Sequence, residues 1–392
     1  MSRGILAVLA LVALVALVAG ACGGPVLANP PAARPPATPA PEPTARPADP
    51  LAVTFPRDDA PHDRLTEWWY YTGHLRGDDG HRFGFELVVF RAERGGFPVT
   101  WASHLALTDE TAGAFHYAQR TEVGPQVDRS PASAGSPTGF AFAVSGFSVT
   151  DPTATLGTPW TMAGTGGTDV LHAAASGAEV FGDPLAAFGL DLALSSTKPP
   201  ALHDRDGYID FGPAGGSYYY SRTAMDTTGT VTLGSDTIAV TGDAWFDHQW
   251  GDFISVGAGG WDWFALNLDD GTDLTLSLVR AADGTYPLVY GTAVDTAGAT
   301  THLGPGDFEV TVTDTWTSPA TGFTYPARWT VTVPSLDLEA HLAPTVAQQE
   351  LDTRSSTGVV YWEGSQVVTA THAGRALGGQ AYVELTGYAA GR

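Results

Sequence analysis

A single cysteine, Cys22, stands in 392 residues, so no intrachain disulfide can form and no cysteine-built zinc or iron–sulfur site is available. Stability must come from packing. Basic residues are also scarce, and 19 Lys and Arg against 42 Asp and Glu leave a formal net charge of −23. That balance argues against nucleic acid as a partner, because binding phosphates needs clustered cations. The acidic surface is chiefly a solubility device. Beyond the first 18 residues no stretch approaches the length and apolarity of a membrane-spanning helix. The Gly-x-Ser-x-Gly motif of serine hydrolases is missing as well, which lowers the case for a serine nucleophile.

What is present begins with Arg3 and an apolar stretch from Ile5 to Val18 that closes in Ala19-Gly20-Ala21-Cys22. Residues 1–22 read as an export signal rather than a span. Cys22 falls where a lipoprotein signal is cleaved and lipidated. The alternative is ordinary cleavage near Ala21 or Ala28, leaving Cys22 without a role. The lipoprotein reading places the chain outside the cytoplasm, anchored on the outer face of the cytoplasmic membrane or elsewhere in the cell envelope. Residues 23–50 are rich in Ala and Pro, including Pro30-Pro31 and Pro35-Pro36, and suit an extended tether without a core.

After the tether, apolar residues recur with period two: Phe83/Phe85/Leu87/Val89, Phe140/Phe142/Val144, Leu190/Leu192/Leu194, Leu274/Leu276/Leu278, Val310/Val312, Trp329/Val331/Val333 and Leu336/Leu338. Turn signals punctuate them at Asp78-Asp79-Gly80, Asp269-Asp270-Gly271, Asp283-Gly284 and Thr228-Gly229. The chain is expected to be all-β, built as antiparallel barrels or sandwiches. The interruption Asp226-Thr227-Thr228-Gly229-Thr230 suggests a boundary near Met225 to Gly234, giving β domains at residues 51–228 and 229–392.

Two aromatic-rich signatures set ionisable groups among rings: Glu67-Trp68-Trp69-Tyr70-Tyr71-Thr72-Gly73-His74 and Trp245-Phe246-Asp247-His248-Gln249-Trp250-Gly251-Asp252-Phe253. Burial among indoles shifts a titratable group and demands a partner, which marks a candidate site. On a strand, Glu67, Trp69 and Tyr71 share one face and Trp68 and Tyr70 the other. Such a wall suits a long apolar ligand, with Trp68, Trp69, Tyr71, Trp245, Tyr219 and Trp263 as lining residues. The structural alternative makes the rings ordinary core and pairs Glu67 with Arg91 or Arg82. By the same alternation His248 and Trp250 share a face, so a proton carrier sits beside a ring that shelters cations. The competing reading is a core histidine bonded to backbone. Asp247 is adjacent, and Asp262, set between Trp261 and Trp263, is a second acid candidate. Tyr361-Trp362-Glu363-Gly364 and Tyr382-Val383-Glu384-Leu385 repeat the acid-among-rings theme. His203, Asp204 and Asp206 match no metal spacing and read as a solvated loop, and neither a metal nor another cofactor is expected.

Through residues 67–74, 217–222, 245–253, 260–264, 361–364 and 384–388 the chain resembles the carotenoid 1,2-hydratase and AttH-like family. The resemblance implies two lipocalin-like β-barrel domains packed together and, in the hydratase branch, addition of water to the terminal double bond of an acyclic carotenoid. The His-x-Trp pair of that branch falls on His248 and Trp250. Its downstream acid has three competing positions, Asp262, Asp269 and Asp270. The resemblance also allows a non-catalytic lipid carrier serving an ABC-type export system, and a secreted ester hydrolase.

Overall fold

Wherever apolar residues alternate and Gly, Asp or Pro punctuates them, the computed structural model has strand and turn. It describes residues 49–133, 136–146, 156–182, 187–253 and 259–388. The export signal, Cys22 and nearly all of the tether lie outside the described residues. The regular elements among the described residues are strands and short 3-10 turns.

Ten main strands build the first sheet: β1 (Thr66–Gly77), β2 (Arg82–Ala92), β3 (Thr100–Asp109), β4 (Ala114–Val123), β5 (Phe140–Val144), β6 (Trp160–Thr165), β7 (Thr168–Ala175), β8 (Phe188–Ser196), β9 (Gly216–Leu233) and β10 (Asp236–Gly251). They run β4-β3-β2-β1-β10-β9-β8-β7-β6-β5. The sheet curls into a nearly closed barrel. Its seam is bridged by Arg120 of β4, whose guanidinium donates to the carbonyls of Val144 and Thr158 at 3.3 and 2.9 Å and to Glu179 at 2.9 Å. The same group lies 4.5 Å from the ring centroid of Trp160. Closing the edge in this way hides backbone groups that would otherwise invite pairing.

The second sheet holds β11 (Gly260–Leu268), β12 (Asp273–Arg280), β13 (Leu288–Val294), β14 (Thr300–Leu303), β15 (Glu309–Thr317), β16 (Thr324–Val333), β17 (Leu338–Pro344), β18 (Val360–His372) and β19 (Arg375–Thr386). Their order is β14-β13-β12-β11-β19-β18-β17-β16-β15, an open half-barrel. Its core gathers Phe264, Leu266, Leu274, Leu276, Trp329, Val331 and Trp362. Val310 and Val312 lie on the edge strand β15, where Val312 is exposed. Leu336 ends a 3-10 turn and Leu338 starts β17, so that pair does not form one strand.

The boundary expected near Met225 to Gly234 does not exist. Those residues lie within the hairpin of β9 and β10, and the change of sheet comes after Gly251. Thr228-Gly229 is strand interior rather than turn. A side chain at Gly229 would put Cβ 2.0 Å from the carbonyl oxygen of Asp191 on β8, so this glycine serves a close backbone approach. The second signature closes the first sheet in chain order and pairs with the first signature.

β1, β2 and residues 244–251 of β10 are buried on both faces. One face meets the barrel core, which includes Trp69, Tyr71, Phe85, Leu87, Phe246 and Trp250. The other meets the half-barrel through Tyr70, Val88 and Trp245 against Trp263, Ala265 and Tyr382. Two acids of the late motifs, Glu363 and Glu384, face each other across β18 and β19. Tyr70 donates to Glu363 at 2.6 Å, and Tyr361 donates to Glu86 of β2 at 2.9 Å. Burial and mutual repulsion hold Glu363 well above the carboxylate range, and burial, offset by Tyr361, pushes Glu86 up to about 8. A carboxyl raised on folding contributes stability below its unfolded value, and that contribution is lost as pH rises through the folded value. Glu86→Gln is therefore expected to melt at least about 3 °C above wild type at pH 8.5 and close to it at pH 4. Thermal melts at the two pH values check this, and equal shifts at both would contradict it.

Candidate functional site

Three motifs far apart in sequence become adjacent strands. In the β1/β10 register Glu67 lies opposite Trp250, Trp69 opposite His248 and Tyr71 opposite Phe246. On the other side of β10, Tyr218 lies opposite Trp250 and Tyr220 opposite His248. Glu67, His248 and Trp250 thus meet on the lumen face of the barrel.

A fourth contribution comes from the segment before β1. Phe55-Pro56 leads into the turn Arg57–Asp59, whose two aspartates are buried. Asp58 accepts from the Thr54 N–H at 2.6 Å and is paired with Arg57. Asp59 turns inward, accepting from Tyr220 at 2.7 Å and from Arg222 at 3.0 Å, while its carbonyl accepts from the Trp69 indole at 3.0 Å. The segment is also tied down by Arg64, which bridges Asp49 and Asp252 at 2.7 Å each. So anchored, His62 lies parallel to the Trp250 ring, 4.1 Å away with 1° between planes.

Glu67 is then shared by two imidazoles. Its Oε1 lies 2.7 Å from His62 Nδ1 and 2.9 Å from His248 Nε2, while Oε2 accepts the His62 backbone N–H at 2.9 Å. His62 Nε2 faces Asp58 Oδ1 at 3.2 Å. Glu67 and His248 have no exposed side-chain surface, whereas His62 keeps 19%. His248 stacks on Trp69 at 4.6 Å, and its Nδ1 has no hydrogen-bond partner among the described residues. The paired Arg91 does not reach Glu67. Its guanidinium goes to the Arg64 carbonyl and to Glu93.

Charge follows from this geometry. Burial opposes the ionised form of Glu67, but the two imidazoles hold its carboxyl below the usual range. Burial likewise opposes His62, and the carboxylates of Glu67 and Asp58 outweigh it, so His62 is raised. His248 is lowered, because burial outweighs its bond to Glu67. Asp58 is held down to about 2, since hydrogen bonds from His62 and Arg57 overcome burial. The arrangement is a carboxylate flanked by one imidazole that favours a proton and one that resists a second.

The other candidates lie elsewhere. Asp247 points to the opposite face of β10, between the sheets, where it accepts from Tyr219 at 2.5 Å, from the Trp245 indole at 2.7 Å and from Ser221. Trp263 donates to Tyr219 at 2.9 Å, so Trp245, Tyr219 and Trp263 belong to this second cluster. Burial pushes Asp247 up to about 6. His203, expected in a solvated loop, is fully buried and bridges Ser221 and Thr292. Asp262 is held by Arg280 at 3.1 Å and by Tyr388 at 2.9 Å. Asp270 pairs with His372, and Asp269 sits in the turn joining β11 to β12. The acids beside His248 and His62 are Glu67 and Asp58.

Trp69 and Tyr71 face the lumen, but rings pack upon rings there: Trp69 on Phe142 at 4.5 Å and Tyr71 on Phe246 at 4.6 Å. Trp68 faces outward, against Phe90 and Phe253. A cleft of about 500 Å³ opens elsewhere, between Tyr117 of β4 and Thr321, Glu350, Asp352 and Arg354, and none of the triad lines it.

Sequence reasoning missed His62, Asp58 and Asp59. Their one signal is a charge-dense stretch, Arg57-Asp58-Asp59-Ala60-Pro61-His62-Asp63-Arg64, immediately before the aromatic strand.

The AttH-like family matches residues 46–388. No curated protein matches the chain in sequence. Among solved structures, an AttH candidate from Nitrosomonas europaea is 30% identical with a TM-score of 0.71, covering 86% of this chain and 98% of its own. Kievitone hydratase from Nectria haematococca shares the fold at 15% identity and a TM-score of 0.63, with 86% and 94% covered. With the family match spanning nearly all of the described residues, the chain belongs to the AttH-like family.

Proposed function

We propose that the chain binds an elongated apolar ligand, an isoprenoid or lipid, and adds water across a terminal alkene by acid–base chemistry at His62, Glu67 and His248. The observation that carries this reading is the fully buried Glu67 shared by two imidazoles, one of which reaches solvent and stacks on Trp250. A proton carried by the relay adds to the terminal alkene carbon, leaving a tertiary cation at the solvent-reaching His62 edge of the cluster, with the Trp250 indole stacked behind the His62 ring. Water adds to the cation and its surplus proton returns to the relay, so the protons balance. An indole face stabilises a desolvated cation by about 2 kcal/mol or more. The kinship with a protein named as a hydratase is one of fold, and supports the reading only as analogy.

Incubation with an acyclic carotenoid such as lycopene, followed by chromatography and mass spectrometry, tests the reaction. The hydroxylated product is expected from wild type, with turnover reduced about 10²- to 10⁴-fold in His248→Gln. Absence of product from wild type, together with copurifying lipid, would leave a carrier, such as one serving an ABC-type exporter.

Proton placement can be read separately. In NMR titrations of labelled histidines, His62 is expected to titrate above 6.5 and His248 below it. Asp58→Asn is expected to lower the His62 midpoint. The linkage signs differ. The stability due to His62 is present below its unfolded value and lost as pH rises through its higher folded value. That due to Asp58 is present above about 3.8 and lost as pH falls through about 2. An unmoved His62 midpoint in Asp58→Asn would contradict the assignment.

Export and lipid attachment at Cys22 complete the proposal. Envelope fractionation is expected to find wild type with membranes and Cys22→Ser released, and an unchanged distribution would count against the anchor.

A further inference from the structure

We infer that His62, Glu67 and His248 also form a binding site for one borderline divalent cation, of which Zn²⁺ is the best match. One ligand atom from each of His62, Glu67 and His248 lies within 4.8 Å of the others, close enough to share one ion, and the nitrogens nearest Glu67 Oε1 are His62 Nδ1 at 2.7 Å and His248 Nε2 at 2.9 Å. Two imidazoles and a carboxylate are a zinc donor set that leaves a fourth position for water. Mg²⁺ and Ca²⁺, which select oxygen ligands, suit it poorly.

Each ligand is already aimed. Glu67 Oε2 is held by the His62 N–H at 2.9 Å, which leaves Oε1, between the two rings, for the ion. The far nitrogen of His62 faces Asp58 at 3.2 Å, the carboxylate–histidine arrangement that orients a metal-bound imidazole and raises its basicity. Trp250, parallel to the His62 ring at 4.1 Å, fixes its plane. His248 Nδ1 has no hydrogen-bond partner among the described residues, and it takes the ring proton when Nε2 ligates the ion. The 19% exposure of the His62 side chain gives the ion a way in.

The other histidine–carboxylate pairs among the described residues are two-residue contacts, such as His81 with Asp79, His341 with Glu339 and His372 with Asp270. They lack a third ligand and define the background expected from surface binding. The ion would sit where the protons of the relay sit, so the metal-loaded and proton-relaying states exclude each other. Binding itself is read without turnover and does not depend on the hydration reading.

Chelator-stripped full-length protein, dialysed against ZnCl₂ and analysed for bound metal by mass spectrometry, is the test, with affinity measured by competition against a chromophoric chelator. Wild type is expected to hold one zinc per chain. His62→Ala and the isosteric Glu67→Gln are each expected to lose at least about 100-fold in affinity, and Asp58→Asn about 10- to 100-fold. Combined replacement of His81, His341 and His372 by Ala is expected to leave that zinc in place. Circular dichroism of the metal-free variants confirms that each is folded. The inference is overturned if wild type holds no zinc against the chelator, or if folded Glu67→Gln and His62→Ala both keep it at wild-type affinity.

Discussion

A carboxylate with no contact with water must find positive charge or strong donors nearby, and Glu67, the second residue of β1, is placed under that constraint. Its solution is two imidazoles from opposite directions in sequence. His248 arrives on the neighbouring strand, so the β1/β10 register has to set Trp69 opposite His248. A slip of one residue would turn His248 out of the lumen and bring Asp247 in, putting a second acid against Glu67. His62 arrives from the segment ahead of β1, so that segment must dock. Asp59 with Arg222 and Tyr220, and Arg64 with Asp49 and Asp252, are the ties that hold it. Much of the barrel's polar anchoring thus serves one acid.

The same strands also carry the second sheet. Because β1 and residues 244–251 of β10 are buried on both faces, their alternation separates two environments rather than a core from solvent. Inward residues make the Glu67 cluster. Outward residues Tyr70, Trp245 and Asp247 meet Trp263, Tyr382 and Tyr219. A substitution at Asp247 acts first on the packing between sheets, even though it adjoins His248 in sequence.

This explains what the sequence disclosed. Period-two alternation is local, so the strands and the shared face of His248 and Trp250 could be read directly. Pairing is not local: nothing in residues 67–71 says that residues 246–250 lie beside them, and a boundary at 225–234 would place the two in different domains. The misplaced boundary has a similar cause. Gly229 carries the composition of a turn, yet serves the close approach of β8, a requirement that exists only once the sheet is assembled. His62 had no period to betray it, since it lies outside any strand. The resemblance places the acid that partners His248 downstream of it, whereas the acid in contact with it is Glu67 of the first signature, 2.9 Å away.

The two faces of β1 also show how partners, rather than residue type, decide what a buried acid does. Glu67 and Glu363 are equally removed from water, with relative exposures of 0% and 1%, and burial alone would raise both. Glu67 is bordered by imidazoles that can carry positive charge, and its carboxyl is lowered. Glu363 receives a phenol from Tyr70 and faces the charge of Glu86 and Glu384, so it is raised. A phenol supplies a hydrogen bond but no cation, and a single neutral donor cannot offset the desolvation of a carboxylate with like charges beside it. Glu363 and Glu86 therefore keep their protons at neutral pH and work as neutral hydrogen-bonded packing. The lumen cluster keeps a charge and an exposed edge at His62, and those two properties make it the place where a proton or a cation can be exchanged.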